Sequence, residues 1–171
     1  DGIISTVAGR RNDDLPSGSE NCEGELGADN VPATESRICP QGGMEVAPDG
    51  SLYFLDGGPG NVHPRLRRVS PGGIITTVAG TGEQCRRSSN PCGDGGPASA
   101  ATLEAGSGGI AFGHDGSIYF SDANVIRHIT PDGIIERVAG DARGINGFSG
   151  DGGPATSARL FVPLGLNVEL D

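Results

Sequence analysis

DGIISTVAG at residues 1–9, GGIITTVAG at 72–80 and DGIIERVAG at 132–140 are three copies of one segment. Each opens on a turn, runs through β-branched residues and stops at Val-Ala-Gly. Self-similarity at such intervals marks a repeat architecture. Working outward, PDGSLYFLD at 48–56 recurs as HDGSIYFSD at 114–122, and GDGGPASAATL at 93–103 recurs as GDGGPATSARL at 150–160. The repeating unit is therefore a whole module.

The 171 residues suffice for a real core, but 31 Gly, 12 Pro and 4% aromatics describe many tight turns and few large anchors. A helical bundle is not expected on that balance. The glycines sit at fixed offsets in Asp-Gly, Gly-Gly and Ala-Gly steps between apolar runs, which is turn chemistry between short strands. Disorder is expected only within residues 10–36 and 82–91.

Twelve basic and 22 acidic residues give a formal charge of −10, which repels a phosphate backbone and argues against nucleic acid. Arg65, Arg67 and Arg68, like Arg86 and Arg87, read as solvated strand and loop charges. No apolar run approaches the roughly 20 residues of a membrane helix, so membrane insertion is not expected. The only Met is Met44, and the sequence reads as processed, trimmed or excerpted from something longer.

Cys22, Cys39, Cys85 and Cys92 fall in two pairs, one in each of the longer inserts that follow a Val-Ala-Gly stop. Local bridges Cys22–Cys39 and Cys85–Cys92 would each contribute about 2 to 3 kcal/mol through loop closure. Four Cys allow three pairings, and the sequence does not choose among them. A zinc site is disfavoured by the absence of Cys-x-x-Cys and of a nearby His. Disulfides place the protein outside the cytosol, secreted or at the cell surface.

Within a module, a first strand (GGMEVAP at 42–48, GGIAFGH at 108–114) leads to an Asp-Gly turn, Asp49-Gly50 or Asp115-Gly116. The second strand follows as SLYFLD or SIYFSD, the third as RLRRVS (65–70) or VIRHIT (125–130), and the fourth as IITTVAG or IIERVAG. Asp-Gly between apolar runs is the strongest short-range hairpin signal. Leu52, Tyr53, Phe54 and Leu55 are apolar in succession, as expected of a strand covered on both faces. The fold class is all-β, built from propeller blades of four antiparallel strands.

GDGGPA, an alanine-containing stretch ending in Leu, a Gly-Ile-Ala strand, DGSIYFSD, VIRHITPDG and a closing VAG together resemble the NHL repeat, in particular the NHL propellers of teneurins and secreted bacterial proteins. The resemblance covers nearly the whole chain; GADNVPATESRI at 27–38 looks like a degenerate GDGGPATSARL with one extra residue. It implies a β-propeller, typically six-bladed, that mediates binding. On this reading residues 1–9 are the outer strand of a preceding blade, 10–80 and 81–140 are blades with inserts, and 141–171 hold an insert and the first strand of a next blade, LGLNVEL. Ten strands result, too few to close a ring, so further blades are expected in the same or another chain.

Asp94 and Asp151 in the Gly-Asp-Gly-Gly-Pro loops are weak Ca²⁺ candidates, because each loop offers one carboxylate where Ca²⁺ wants six to eight oxygens. The framework reading has these Asp cap the turn while Pro97 and Pro154 start a single helical turn whose Leu103 or Leu160 docks in the core. Gly95 and Gly152 are repeat-equivalent turn glycines. Asp56 and Asp122, ending the second strands, are expected to accept loop amides. Tyr53 and Tyr119 share a module position and read as inter-blade packing.

His63, His114 and His128 share no module position, and Glu45 and Asn167, on first strands, face a channel without a second acid beside them. No nucleophile elbow, zinc helix or phosphate loop is present. Neither a catalytic residue, a cofactor nor a metal is therefore expected. The preferred function is an extracellular, non-enzymatic scaffold presenting loops to protein or glycan partners, or to further copies of itself. Its rivals are a propeller hydrolase or lyase with catalytic residues in other blades, and a structural subunit of an extracellular fibre.

Overall fold

The computed structural model describes residues 3–9, 27–58, 62–86, 92–104 and 108–169. They form two antiparallel five-stranded sheets, with three short 3-10 turns. The first sheet takes the order β1 (Val31–Pro32), β5 (Ile74–Ala79), β4 (Val62–Val69), β3 (Leu52–Gly58) and β2 (Pro40–Val46). The second repeats it as β6 (Gly96–Pro97), β10 (Ile134–Ala139), β9 (Val125–Ile129), β8 (Ile118–Asp122) and β7 (Ile110–Phe112).

The hairpins follow from the turn residues. Gly50 and Gly116 hold φ of +81° and +86°, which a side chain would resist. Before each, an aspartate accepts from the serine two residues on: Asp49 from Ser51 N–H at 2.9 Å, Asp115 from Ser117 N–H at 3.0 Å.

Three expectations need correction. Each sheet has five strands rather than four, because the Gly-Pro or Val-Pro of the preceding loop adds to the outermost strand, as in Pro97↔Ile134 and Pro32↔Ile74. Residues 3–9 and 164–169, expected as strands, form no ladder, since a strand exists only by pairing and neither meets a partner strand among the described residues. They hold on by other means: Gly9 N–H donates to the Ala33 carbonyl at 2.9 Å, and the Leu166 backbone packs on Gly109. Residues 27–36, expected to be at risk of disorder, carry β1 and a 3-10 turn; residues 10–26 and 87–91 lie outside the described residues.

The GDGGPA loop at 93–98 joins the two sheets. Ala98 accepts from Gly80 N–H, just past β5, at 3.1 Å, and its own N–H donates to the Gly133 carbonyl, just before β10, at 2.8 Å. Ala33 does the same between Gly9 and Gly73. Beneath Ala98, Ala101 and Leu103 are fully buried in one core between the sheets, with Leu55, Leu66 and Ala79 on one side and Phe120, Ile129 and Ile135 on the other. Phe54, Val69 and Ile75 form a second core with Ala33 on the opposite face of the first sheet. Successive apolar residues on β3 thus do face two covered sides.

Candidate functional site

Among the described residues the most heavily bonded side chains are two arginines: Arg67, which the solvated reading misplaced, and Arg127. Arg67 on β4 and Arg127 on β9 are both fully buried. Their repeat position could have revealed them, because an Arg recurs there together with an Asp at the second-strand end and another in the loop. A buried guanidinium is tolerated only where carboxylates and carbonyls replace its water.

Arg127 has them. Its Nε and Nη2 donate to Asp94 Oδ1 at 3.0 and 2.7 Å, Nη2 to the Cys92 carbonyl at 3.0 Å, and Nη1 to the Thr102 carbonyl at 3.0 Å and Asp122 at 3.4 Å. Arg67 repeats the node with Asp29 at 3.0 Å, Asp56 at 3.3 Å and the Gly27 and Ala28 carbonyls at 3.3 to 3.4 Å. Burial pushes the Asp56 carboxyl up and the Arg67 guanidinium down, each opposed by the other's charge. The second carboxylate oxygens accept loop amides: Asp56 from Cys39 N–H at 2.6 Å and Asp122 from Glu104 N–H at 2.7 Å.

Asp94 is therefore an arginine partner rather than a turn cap. The 3-10 turn after it is capped by Pro97 with no side-chain hydrogen bond, and the same holds at Pro154. Asp151 stands exposed in the third loop. The register also settles the degenerate first loop: Asp29 takes the place of Asp94, and Asn30, at φ +61°, takes the left-handed place of Gly95, at φ +86°. The extra residue is Ala28.

Cys85 and Cys92 are joined by a disulfide, with Cα atoms 5.5 Å apart. The bridge clamps the insert where Cys92 offers its carbonyl to Arg127. The Cys22–Cys39 pairing lies outside the described residues, because Cys22 does.

The histidines do not converge. His63 lies on β4, His114 in the β7–β8 turn, and His128 stacks on Tyr119 with ring centroids 4.5 Å apart. No group of three metal-ligating side chains forms among the described residues. Glu45 and Asn167 do share a cavity, of about 250 Å³, lined also by Val46, Ile110 and Leu166; no second carboxylate is among its described lining residues.

A larger cleft, of about 610 Å³, opens between the sheets at their hairpin turns. Tyr53 and Phe112 make its floor, edge to face with centroids 5.0 Å apart. Pro48 and Asp49 wall it on one side, Gly113 and His114 on the other. Burial pushes the Tyr53 hydroxyl up. The Asp49 carboxyl is held below its ordinary value by Ser51 N–H, then by the Ser51 hydroxyl and Arg68; that of Asp115 by the Ser117 hydroxyl and N–H.

Against this geometry, the teneurin NHL domain model matches residues 70–148, from the turn before β5 to the third insert. Residues 70–148 are of the NHL type. Chicken (Gallus gallus) Teneurin-1 is 39% identical over 126 residues, 69% of this chain and 5% of that relative's length. Mouse (Mus musculus) Teneurin-3 is 47% identical over 64 residues, 37% of this chain and 2% of the relative. The chain thus spans only about a twentieth of the length of chicken Teneurin-1. In fold it is similar to a structural genomics protein of unknown function from Bacteroides thetaiotaomicron, with TM-score 0.52 and 19% identity over 70% of this chain and 28% of that one. No helix among the described residues is long and apolar enough to cross a membrane.

Proposed function

We propose that the chain is an extracellular, non-enzymatic interaction module whose stacked blades hold inserts out to protein partners. One observation carries this reading. The buried charged groups are consumed in two repeat-equivalent arginine nodes, whereas what differs between modules lies in the inserts: their length, their cysteines and the Cys85–Cys92 clamp. A rigid repeated frame with variable loops is the common arrangement of binding proteins. The teneurin similarity supports the same class, and the disulfide supports an oxidising compartment. Self-assembly is a second reading, favoured by the exposed apolar Ile3, Ile4 and Val7 near one end and Phe148, Phe161 and Leu164 near the other. Sedimentation at micromolar concentration decides whether it occurs.

The test of the main reading exchanges residues 81–92 for the cysteine-free stretch 141–149. Binding of the labelled chain to cell surfaces should be lost while a cooperative melting transition remains. Undiminished binding, or turnover of ester or glycoside substrates by the unaltered chain, would overturn it.

A further inference from the structure

The two sheets touch at one end and part at the other. Midway along β2 and just ahead of β7, Gly43 N–H donates to the Gly108 carbonyl at 2.8 Å, an approach so close that a Cβ on Gly43 would lie 2.9 Å from that oxygen. Toward the hairpin turns they splay, and what fills the wedge is Tyr53 and Phe112, both only half-buried. The resulting cleft of about 610 Å³ falls within the range of roughly 300 to 1,000 Å³ typical of small-ligand sites.

One carboxylate lines it, and a second lies in the facing turn. Asp49 belongs to one turn and Asp115 to the facing turn, between the lining residues His114 and Gly116. Both are kept ionised by serine donors. Arg68 pairs with Asp49 at 2.9 Å and also donates to Ser51 Oγ at 3.0 Å, and the module position it occupies in the first blade holds His128 in the second. An aromatic floor under ionised carboxylates attracts a cation on an apolar stem and repels an anion. The net charge of −10 adds long-range attraction of the same sign.

We infer that this inter-blade cleft receives a lysine or arginine side chain of a protein partner, its alkyl stem against Tyr53 and Phe112 and its charge between the two turns. This rests on the interaction-module reading but uses a surface other than the inserts. A flat apolar groove would take the stem alone; the ionised turns are what select the charge.

The test is calorimetric titration of the 171-residue chain with hexalysine at physiological ionic strength, beside the same peptide fully acetylated on its side chains. Saturable binding of hexalysine only is expected, weakened about fivefold by Asp49→Asn and similarly by Tyr53→Leu. Thermal melts establish that each variant is folded, and Tyr53→Phe, which keeps the ring, should bind as the unaltered chain does. Equal binding of the acetylated peptide, no saturable heat, or unaltered affinity in both weakened variants would overturn the inference. The insert-exchanged chain should still bind hexalysine. Hexalysine failure with cell binding intact therefore overturns the cleft alone, and the reverse result overturns the insert reading alone.

Discussion

The Arg127 and Arg67 nodes are the same design at two tensions. Around Arg127 both Nε and Nη2 meet Asp94, and four of five contacts are 3.0 Å or shorter. Around Arg67 the carbonyl contacts stretch to 3.3 Å and beyond, and Nε has no partner among the described residues. Two local differences accompany the change: the second loop is clamped by Cys85–Cys92 next to its donated carbonyl, and the first carries the extra Ala28. The node thus accommodates loops of different length by loosening its hydrogen bonds, while the strands beneath keep their register. A buried charge cluster that can slacken without changing topology suits a repeat whose inserts vary.

The sharpest way to break the comparison is to remove each arginine. Arg127→Met strands Asp94 and Asp122 in the interior and should cost about 3 to 5 kcal/mol. Arg67→Met should cost measurably less, because its bonds are longer; urea melts of the two variants decide, and a larger loss at Arg67 would refute the ranking. Next in size, the double substitution Cys85→Ala, Cys92→Ala should cost about 2 kcal/mol. It should also make Arg127 behave like Arg67, so that Arg127→Met costs less in that background than alone. Full additivity of the two losses would mean that the clamp does not tighten the node.

A smaller effect is expected from acid. Asp49, Asp115 and Asp141 all titrate below their ordinary 3.8 in the folded chain. A carboxyl depressed by folding contributes stability that is present above the unfolded value and is lost as pH falls through the folded one. Stability should therefore drop below about pH 4, and a chain carrying Asp49→Asn and Asp115→Asn should show a shallower drop in melting temperature across that window. The smallest effect belongs to Asp151. Exposed in the third loop, it should tolerate Asn within about 0.5 kcal/mol, against a loss of 1 kcal/mol or more for Asp94→Asn, with thermal unfolding as the measure.

Most of the frame was legible in the repeats. Asp-Gly steps located the hairpins at Gly50 and Gly116, and the apolar run 52–55 announced a sheet covered on both sides, because these signals act locally. Two kinds of feature were not. Residues 3–9 and 164–169 carry strand-like patterns, but pattern sets only which face a strand would bury; the ladder needs a neighbour. Charge misled in the other direction, since Arg67 among Arg65 and Arg68 looks like a solvated cluster. Only the joint recurrence of Arg, the strand-end Asp and the loop Asp in both modules encodes a buried node. The cleft was invisible for a related reason: Tyr53 and Phe112 lie far apart in sequence and in different modules.

Because Ala98 bonds to Gly80 of one sheet and Gly133 of the next, no blade owns its own outer edge. Melting the second blade would strip from the first the segment that covers Leu55 and Leu66, and pulling on the first would peel that same segment off β10. The modules behave as links of a nearest-neighbour chain in which each junction is shared property, so a lesion in one loop should be felt as lowered protection of amide hydrogens on both sides of it.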